Sequence, residues 1–88
     1  VIRRRVTVHG RVQGVFFRDS TQGEAESAGV AGWVRNRDDD TVEAVFEGEE
    51  HAVERMIDFC LEGPDRAEVR DVEVSEEEPE GLESFEVR

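Results

Sequence analysis

Val42-Glu43-Ala44-Val45-Phe46-Glu47-Gly48, then Glu49, then Glu50-His51-Ala52-Val53-Glu54-Arg55-Met56-Ile57-Asp58-Phe59-Cys60-Leu61, holds two different periods side by side. In the first half Val42, Ala44 and Phe46 alternate with Glu43, Val45 and Glu47, a spacing of two that puts one set on each face of a strand. In the second half Val53, Met56, Ile57, Cys60 and Leu61 fall at i, i+3, i+4, i+7 and i+8, one full apolar face of a helix. Glu49 and Glu50 put negative charge at that helix's start, where its dipole favours it. Gly63-Pro64 stops it. A strand feeding a one-sided helix is a unit that must bury both apolar faces against one another or against a neighbour.

The same two periods recur on either side. Upstream, Val6 and Val8 alternate with Thr7 and His9 within a strand over residues 2–9. Gly10 to Phe17 reads as a loop punctuated by Gly10 and Gly14. Phe17, Thr21, Ala25 and Ala28 then form a helical stripe, with Gly29 suited to the position just past its end. Residues 30–36 return to strand, with Trp33 expected in the core, and Asp38 to Asp40 make a polar turn. Downstream, Val69, Val72 and Val74 mark a strand whose skipped spacing suggests a bulge. Glu76 to Glu80 reads as a solvated acidic loop, and Phe85 and Val87 as a short last strand. The order is β-α-β-β-α-β plus that fifth strand. It predicts an α+β fold of the ferredoxin-like kind, an antiparallel sheet with two helices on one face, and a single domain over residues 1–88. That fold hosts many functions and selects none.

Charge narrows the choice. The chain carries 23 acidic and 11 basic residues, a formal net charge of −12, and every basic residue is Arg. Such a balance argues against nucleic-acid phosphates and anionic membranes as partners. No apolar run is long enough for a transmembrane helix or a secretory h-region. The single cysteine, Cys60, excludes an internal disulfide and reads as core packing. A cytoplasmic monomer is the expectation. An excess of carboxylates with no Lys also matches a protein folded in concentrated salt, where a Debye length of about 3 Å at 1 M screens self-repulsion. A halophilic source is therefore expected.

Two segments depart from this background. Residues 10–18, Gly-Arg-Val-Gln-Gly-Val-Phe-Phe-Arg, and residues 32–37, Gly-Trp-Val-Arg-Asn-Arg, carry Arg11, Arg18, Arg35 and Arg37 and no acid. A cationic island in a chain of this charge points to an anionic ligand. The first segment follows a strand and opens a helix, where backbone N–H groups and the helix dipole favour an anion. Gly14 permits close approach or a positive φ, and Arg18 brings a planar fork that matches phosphate oxygens. No Gly-Lys-Ser/Thr follows, so the loop is not a Walker motif. His9 and His51 are isolated and read as structural, Arg3-Arg4-Arg5 as partners of surplus carboxylates, and Glu76-Glu77-Glu78 as no metal site.

These two motifs, with Asp39-Asp40-Thr41-Val42-Glu43 after the second, resemble acylphosphatase along essentially the whole chain. The resemblance implies that the loop of Val12, Gln13, Gly14, Val15, Phe16 and Phe17 binds a phosphoryl group through backbone amides, that Arg18 pairs with it, and that Asn36 holds the attacking water. It implies a small-molecule acyl phosphate as substrate, with no metal and no cofactor. Asp40 stands where the family has a turn Gly, and an Asp in a left-handed turn is the expected consequence. Two rivals keep the topology without the chemistry. A non-catalytic anion-binding or regulatory domain needs no water-holding amide, and an RNA-binding module lacks its aromatic Lys/Arg-Gly-Phe strand motif here.

Overall fold

A computed structural model describes residues 1–88. Its elements run β1 (Ile2–Arg11), α1 (Phe17–Ala28), β2 (Ala31–Asn36), β3 (Val42–Gly48), α2 (Glu50–Glu62), β4 (Glu68–Glu77) and β5 (Phe85–Val87). They build one five-stranded sheet in the order β4-β1-β3-β2-β5. This is the ferredoxin-like arrangement read from the periods. One feature of the sheet differs from that reading. β5 runs parallel to β2, with Gly32 opposite Phe85 and Val34 opposite Val87, so the sheet is mixed rather than wholly antiparallel. A three-residue strand carries no period that reveals its direction.

Both helices lie on one sheet face, α1 over β2 and β5 and α2 over β1, β3 and β4. Val6, Val8, Val34, Val42, Ala44 and Phe46 point at them from the sheet, and Phe17, Ala25, Val53, Met56 and Cys60 answer from the helices. Fully burying a side chain the size of Val or Met contributes roughly 1.5–3 kcal/mol. Phe46 stacks on Phe85 at 5.8 Å between ring centroids, which pins the fifth strand, and Phe17 tilts against Phe59 at 6.2 Å, which joins the helices. Burial pushes the Cys60 thiol up to about 12, so it packs as a small apolar group. Leu61, expected on this apolar face, is 55% exposed, because it lies at the stripe's edge beyond the reach of the sheet.

β1 runs two residues further than its alternation suggested. Gly10 and Arg11 remain in the strand, and His9 and Gly10 pair with Asp71 and Val69, leaving Arg70 as the extra residue of a bulge. That accounts for the skipped spacing between Val69 and Val72. Gly10 is no loop residue; it sits at φ 129, and a Cβ there would come within 2.2 Å of the Glu68 carbonyl oxygen.

The helix-free face of the sheet is ionic. Here Glu76 and Glu77 belong to β4 and not to a loop. Arg3, only 3% exposed, binds Glu47 at 2.6 Å, Glu77 at 2.8 Å and Glu80 at 3.1 Å. Arg5 binds Glu77 at 2.5 Å and Glu43 at 2.6 Å, and Arg35 closes the chain on Glu43 at 2.6 Å. Glu77 is held below the usual carboxylate range by the hydrogen bonds from Arg5 and Arg3. Burial works against ionisation of Glu43 and Glu47. Donors from Arg35 and Arg5 outweigh it at Glu43, and donors from the Glu80, Gly81 and Leu82 amides and Arg3 outweigh it at Glu47, so both are also lowered. Pairing of the Arg3-Arg4-Arg5 run with acids is as expected, and Arg4 reaches Glu76 at 3.4 Å. Trp33 is buried on this face, outside the helix-covered core where it was expected, under the guanidinium groups of Arg5, Arg35 and Arg88 at 5.4, 5.5 and 4.9 Å. Its neighbour Val34 takes the core side, as alternation requires.

Candidate functional site

Residues 12–16 join β1 to α1, and that loop opens on a cleft of about 370 Å³. Val12, Gly14, Phe16, Phe17, Arg18, Asp19 and Asn36 line it. Gly14 sits at φ 73 with open space around its Cα, so its conformation and not crowding calls for glycine. Phe16 precedes the helix at φ 61 and ψ 25, an uncommon place for an aromatic residue. Arg18 is the second residue of α1, and Asn36 is the last of β2. Arg18 and Asn36, eighteen residues apart in sequence, thus meet at one cleft.

Arg18 pairs with no Asp or Glu side chain, although the chain carries 23 of them. Its Nη1 lies 3.5 Å from the main-chain oxygen of Arg88, which is itself tied to the sheet by its N–H to the Val34 carbonyl at 2.8 Å. Asp19 is the only carboxylate lining the cleft, and it is exposed. The remaining arginines of the cationic island do not converge there. Arg35 and Arg37 line a neighbouring polar cleft of about 330 Å³ that shares Asn36, with Asp38 and Asp39 beside them. Arg35 is held by Glu43, and Arg11 lies by Glu68 and Arg70 at the bulge. Alternation along β2 sends Arg35 to the ionic face.

Within the loop, Val15 is buried in the core and does not line the cleft. Gln13 does something its sequence position did not announce. Its Nε2 donates to the carbonyl oxygens of Arg37, at 2.8 Å, and Thr41, at 2.9 Å. Those two carbonyls are the ends of the turn between β2 and β3. The turn is closed by the Arg37 N–H to the Thr41 carbonyl at 2.9 Å, and Asp39 accepts from the Thr41 hydroxyl at 2.5 Å. Gln13 is the only hydrogen-bonded link between this turn and the loop. Asp40 occupies the turn at φ 69, the left-handed conformation expected of a residue standing in for glycine. His9 and His51 lie outside the cleft; His9 is 2.6 Å from Glu73. No three His, Cys, Asp or Glu side chains converge as a metal-binding group.

Fold and cleft together define a ferredoxin-like protein with one Arg and one Asn gathered at the loop before α1. Comparison with known proteins makes this particular. A family profile for acylphosphatase matches residues 4–87. An acylphosphatase of Haloarcula marismortui is 58% identical over 86 residues, covering 98% of this chain and 94% of the relative. One from Rubrobacter xylanophilus is 60% identical over 87 residues, covering 98% of this chain and 79% of the relative. The crystal structure of acylphosphatase from Bacillus subtilis superposes with a TM-score of 0.96 at 39% identity, covering 100% of this chain and 99% of that one. The chain belongs to the acylphosphatase family.

Proposed function

We propose that the protein hydrolyses acyl phosphates to a carboxylate and inorganic phosphate, using water held by Asn36 on a phosphoryl group bound by Arg18 and the loop amides. Family membership supports the reaction. The observation that carries the site is Arg18, paired with no Asp or Glu side chain, beside Asn36 in one cleft of a chain whose net charge is −12.

An acyl phosphate is a mixed anhydride. Its leaving group is a carboxylate with a pKa of about 4, close to that of Asp or Glu, so it departs without a general acid. Phosphoryl transfer then needs positioning and charge stabilisation above all. Arg18 and the N–H groups of residues 12–17 hold the phosphoryl oxygens, and the N-terminus of α1 adds its partial positive charge. The Asn36 amide, with one acceptor and two donors, orients a water in line with the breaking bond. The amide is too weak a base to take the water's proton. A phosphoryl oxygen of the substrate takes it as the new P–O bond forms and the bond to the carboxylate oxygen breaks. None of these roles calls for a metal.

Hydrolysis of benzoyl phosphate, followed with and without EDTA in molar KCl, tests the reading. Turnover unaffected by the chelator is expected. No turnover by folded protein would overturn the activity, and turnover restored only by Mg²⁺ would overturn the mechanism.

A further inference from the structure

Phe16 stands apart from every other aromatic side chain. It is 66% exposed, while Phe17, Trp33, Phe46 and Phe85 are buried and Phe59 is half-buried against Phe17. Val1, Leu61 and Val74, the other exposed large apolar side chains, do not line the cleft. Phe16 does, on a wall that also carries Gly14, with Arg18 and Asn36 beside it. It also sits at φ 61, where glycine would be unstrained. The fold uses this ring neither for its core nor for its turn. A phosphoryl group occupies little of the cleft: at roughly 10–15 Å³ per water-sized atom, its phosphorus and four oxygens leave most of the space open.

We infer that Phe16 is a specificity-determining residue that packs against the acyl half of the substrate and favours aromatic or extended apolar acyl groups over small ones. The inference rests on the acyl phosphate reading. An acyl phosphate has one dianionic end and one carbon end. Arg18 and Asn36 provide for the first, and Phe16 is the apolar surface available for the second. A planar ring such as benzoyl can stack on it in an offset or edge-on geometry, whereas an acetyl group covers little of it. Such a contact acts on the choice among substrates and not on the chemistry at phosphorus.

The experiment compares kcat/KM for benzoyl phosphate and acetyl phosphate in the wild type, Phe16→Ala and Phe16→Gly. The benzoyl-to-acetyl ratio should fall about threefold to tenfold in both variants, the size of a single aromatic contact. Glycine relieves the positive φ, so at least one variant keeps its fold. A second arm needs no variant. Phenylphosphonate should inhibit the wild type about threefold more tightly than methylphosphonate. An unchanged ratio together with equal phosphonate affinities would overturn the role of Phe16 and leave the hydrolytic activity standing. A wild type that hydrolyses neither substrate would overturn the activity, and the phosphonate comparison would still report on Phe16.

Discussion

The side-chain amide of Gln13 donates to the carbonyl of Thr41 at 2.9 Å, and its second hydrogen goes to the carbonyl of Arg37 at 2.8 Å. One planar group therefore ties the loop before α1 to both ends of the turn that begins just after Asn36. On the proposed mechanism this link would make Gln13 a positioning residue, acting through the turn on the aim of Asn36. Gln13→Ala should lower kcat about tenfold or more, since misplacement by about 1 Å can cost a hundredfold, while inhibition by phosphate weakens much less. Gln13→Glu separates positioning from mere packing. Its carboxylate repels both carbonyls at neutral pH, and its protonated form donates to one. Activity of this variant relative to wild type should climb from pH 7 to pH 5. A flat relative profile would mean that Gln13 does not position Asn36.

Arg18 and Asn36 should separate in phosphate titrations. Arg18→Ala removes a charge-assisted donor, so phosphate inhibition and turnover both collapse. On the proposed mechanism Asn36→Ala removes the anchor of the water, so turnover should fall with phosphate inhibition nearly retained. Equal loss of phosphate affinity in the two variants would refute the division of roles.

Asp40 holds φ 69 and its side chain makes no hydrogen bond or ion pair. Asp40→Gly should stabilise the fold by about 0.5 kcal/mol, the strain relieved less the entropy glycine adds to the unfolded chain. For a domain of this size that is a rise of about 2–4 °C in Tm, measurable by thermal unfolding. A lower Tm would show that the turn does not strain Asp40.

Glu43, Glu47 and Glu77 all ionise more readily in the folded state than an ordinary Glu. Their stabilisation is therefore complete above the unfolded value of about 4.3 and is lost as pH falls through their lower folded values. In molar KCl, which mutes self-repulsion, the urea midpoint should hold steady from pH 7 to 5 and drop below about pH 4. Glu47→Gln leaves Arg3 deep in the sheet with one carboxylate fewer. It should cost about 3 kcal/mol at pH 7, more than Glu77→Gln, whose side chain is 29% exposed. A shallower acid drop in Glu77→Gln is also expected.

Salt acts on a different set of charges. The side chains of the Arg3–Glu47 pair, 4% and 3% exposed, lie largely beyond the reach of mobile ions. The exposed acids are not. From 0.1 M to 3 M KCl the Debye length shrinks from about 10 Å to below 3 Å, so the urea midpoint should rise while KM holds or improves. A constant midpoint with a steeply rising KM would show the surface charge to be incidental.

What was legible in the sequence follows its periods. Val42, Ala44 and Phe46, and Val53, Met56 and Cys60, repeat at two and at three to four, and each lies in the core. Trp33 and Val34 were separable by alternation, but alternation does not say which face the helices cover. Glu77 looked solvated because its partners Arg5 and Arg3 lie 72 and 74 residues away in sequence. The two motifs brought Arg18 and Asn36 to one cleft. Gln13 was read only for its loop amide; its side-chain link to the turn escaped notice because its partners are main-chain carbonyls, which any residue type supplies. Arg35 and Arg37 counted toward a cationic island, but alternation along β2 turns Arg35 to Glu43 on the ionic face, and Arg37, just past the strand, lines a neighbouring cleft.

The place of Trp33 has a consequence for how folding is watched. It is the only Trp, and the chain has no Tyr. Its indole lies beneath three guanidinium groups on the face opposite the helices. Intrinsic fluorescence therefore reports closure of the charged layer, whereas far-ultraviolet circular dichroism reports the helices. A stopped-flow trace of the first kind times the locking of Arg5, Arg35 and Arg88 over the indole, and any lag behind the dichroism measures how late the ionic face assembles.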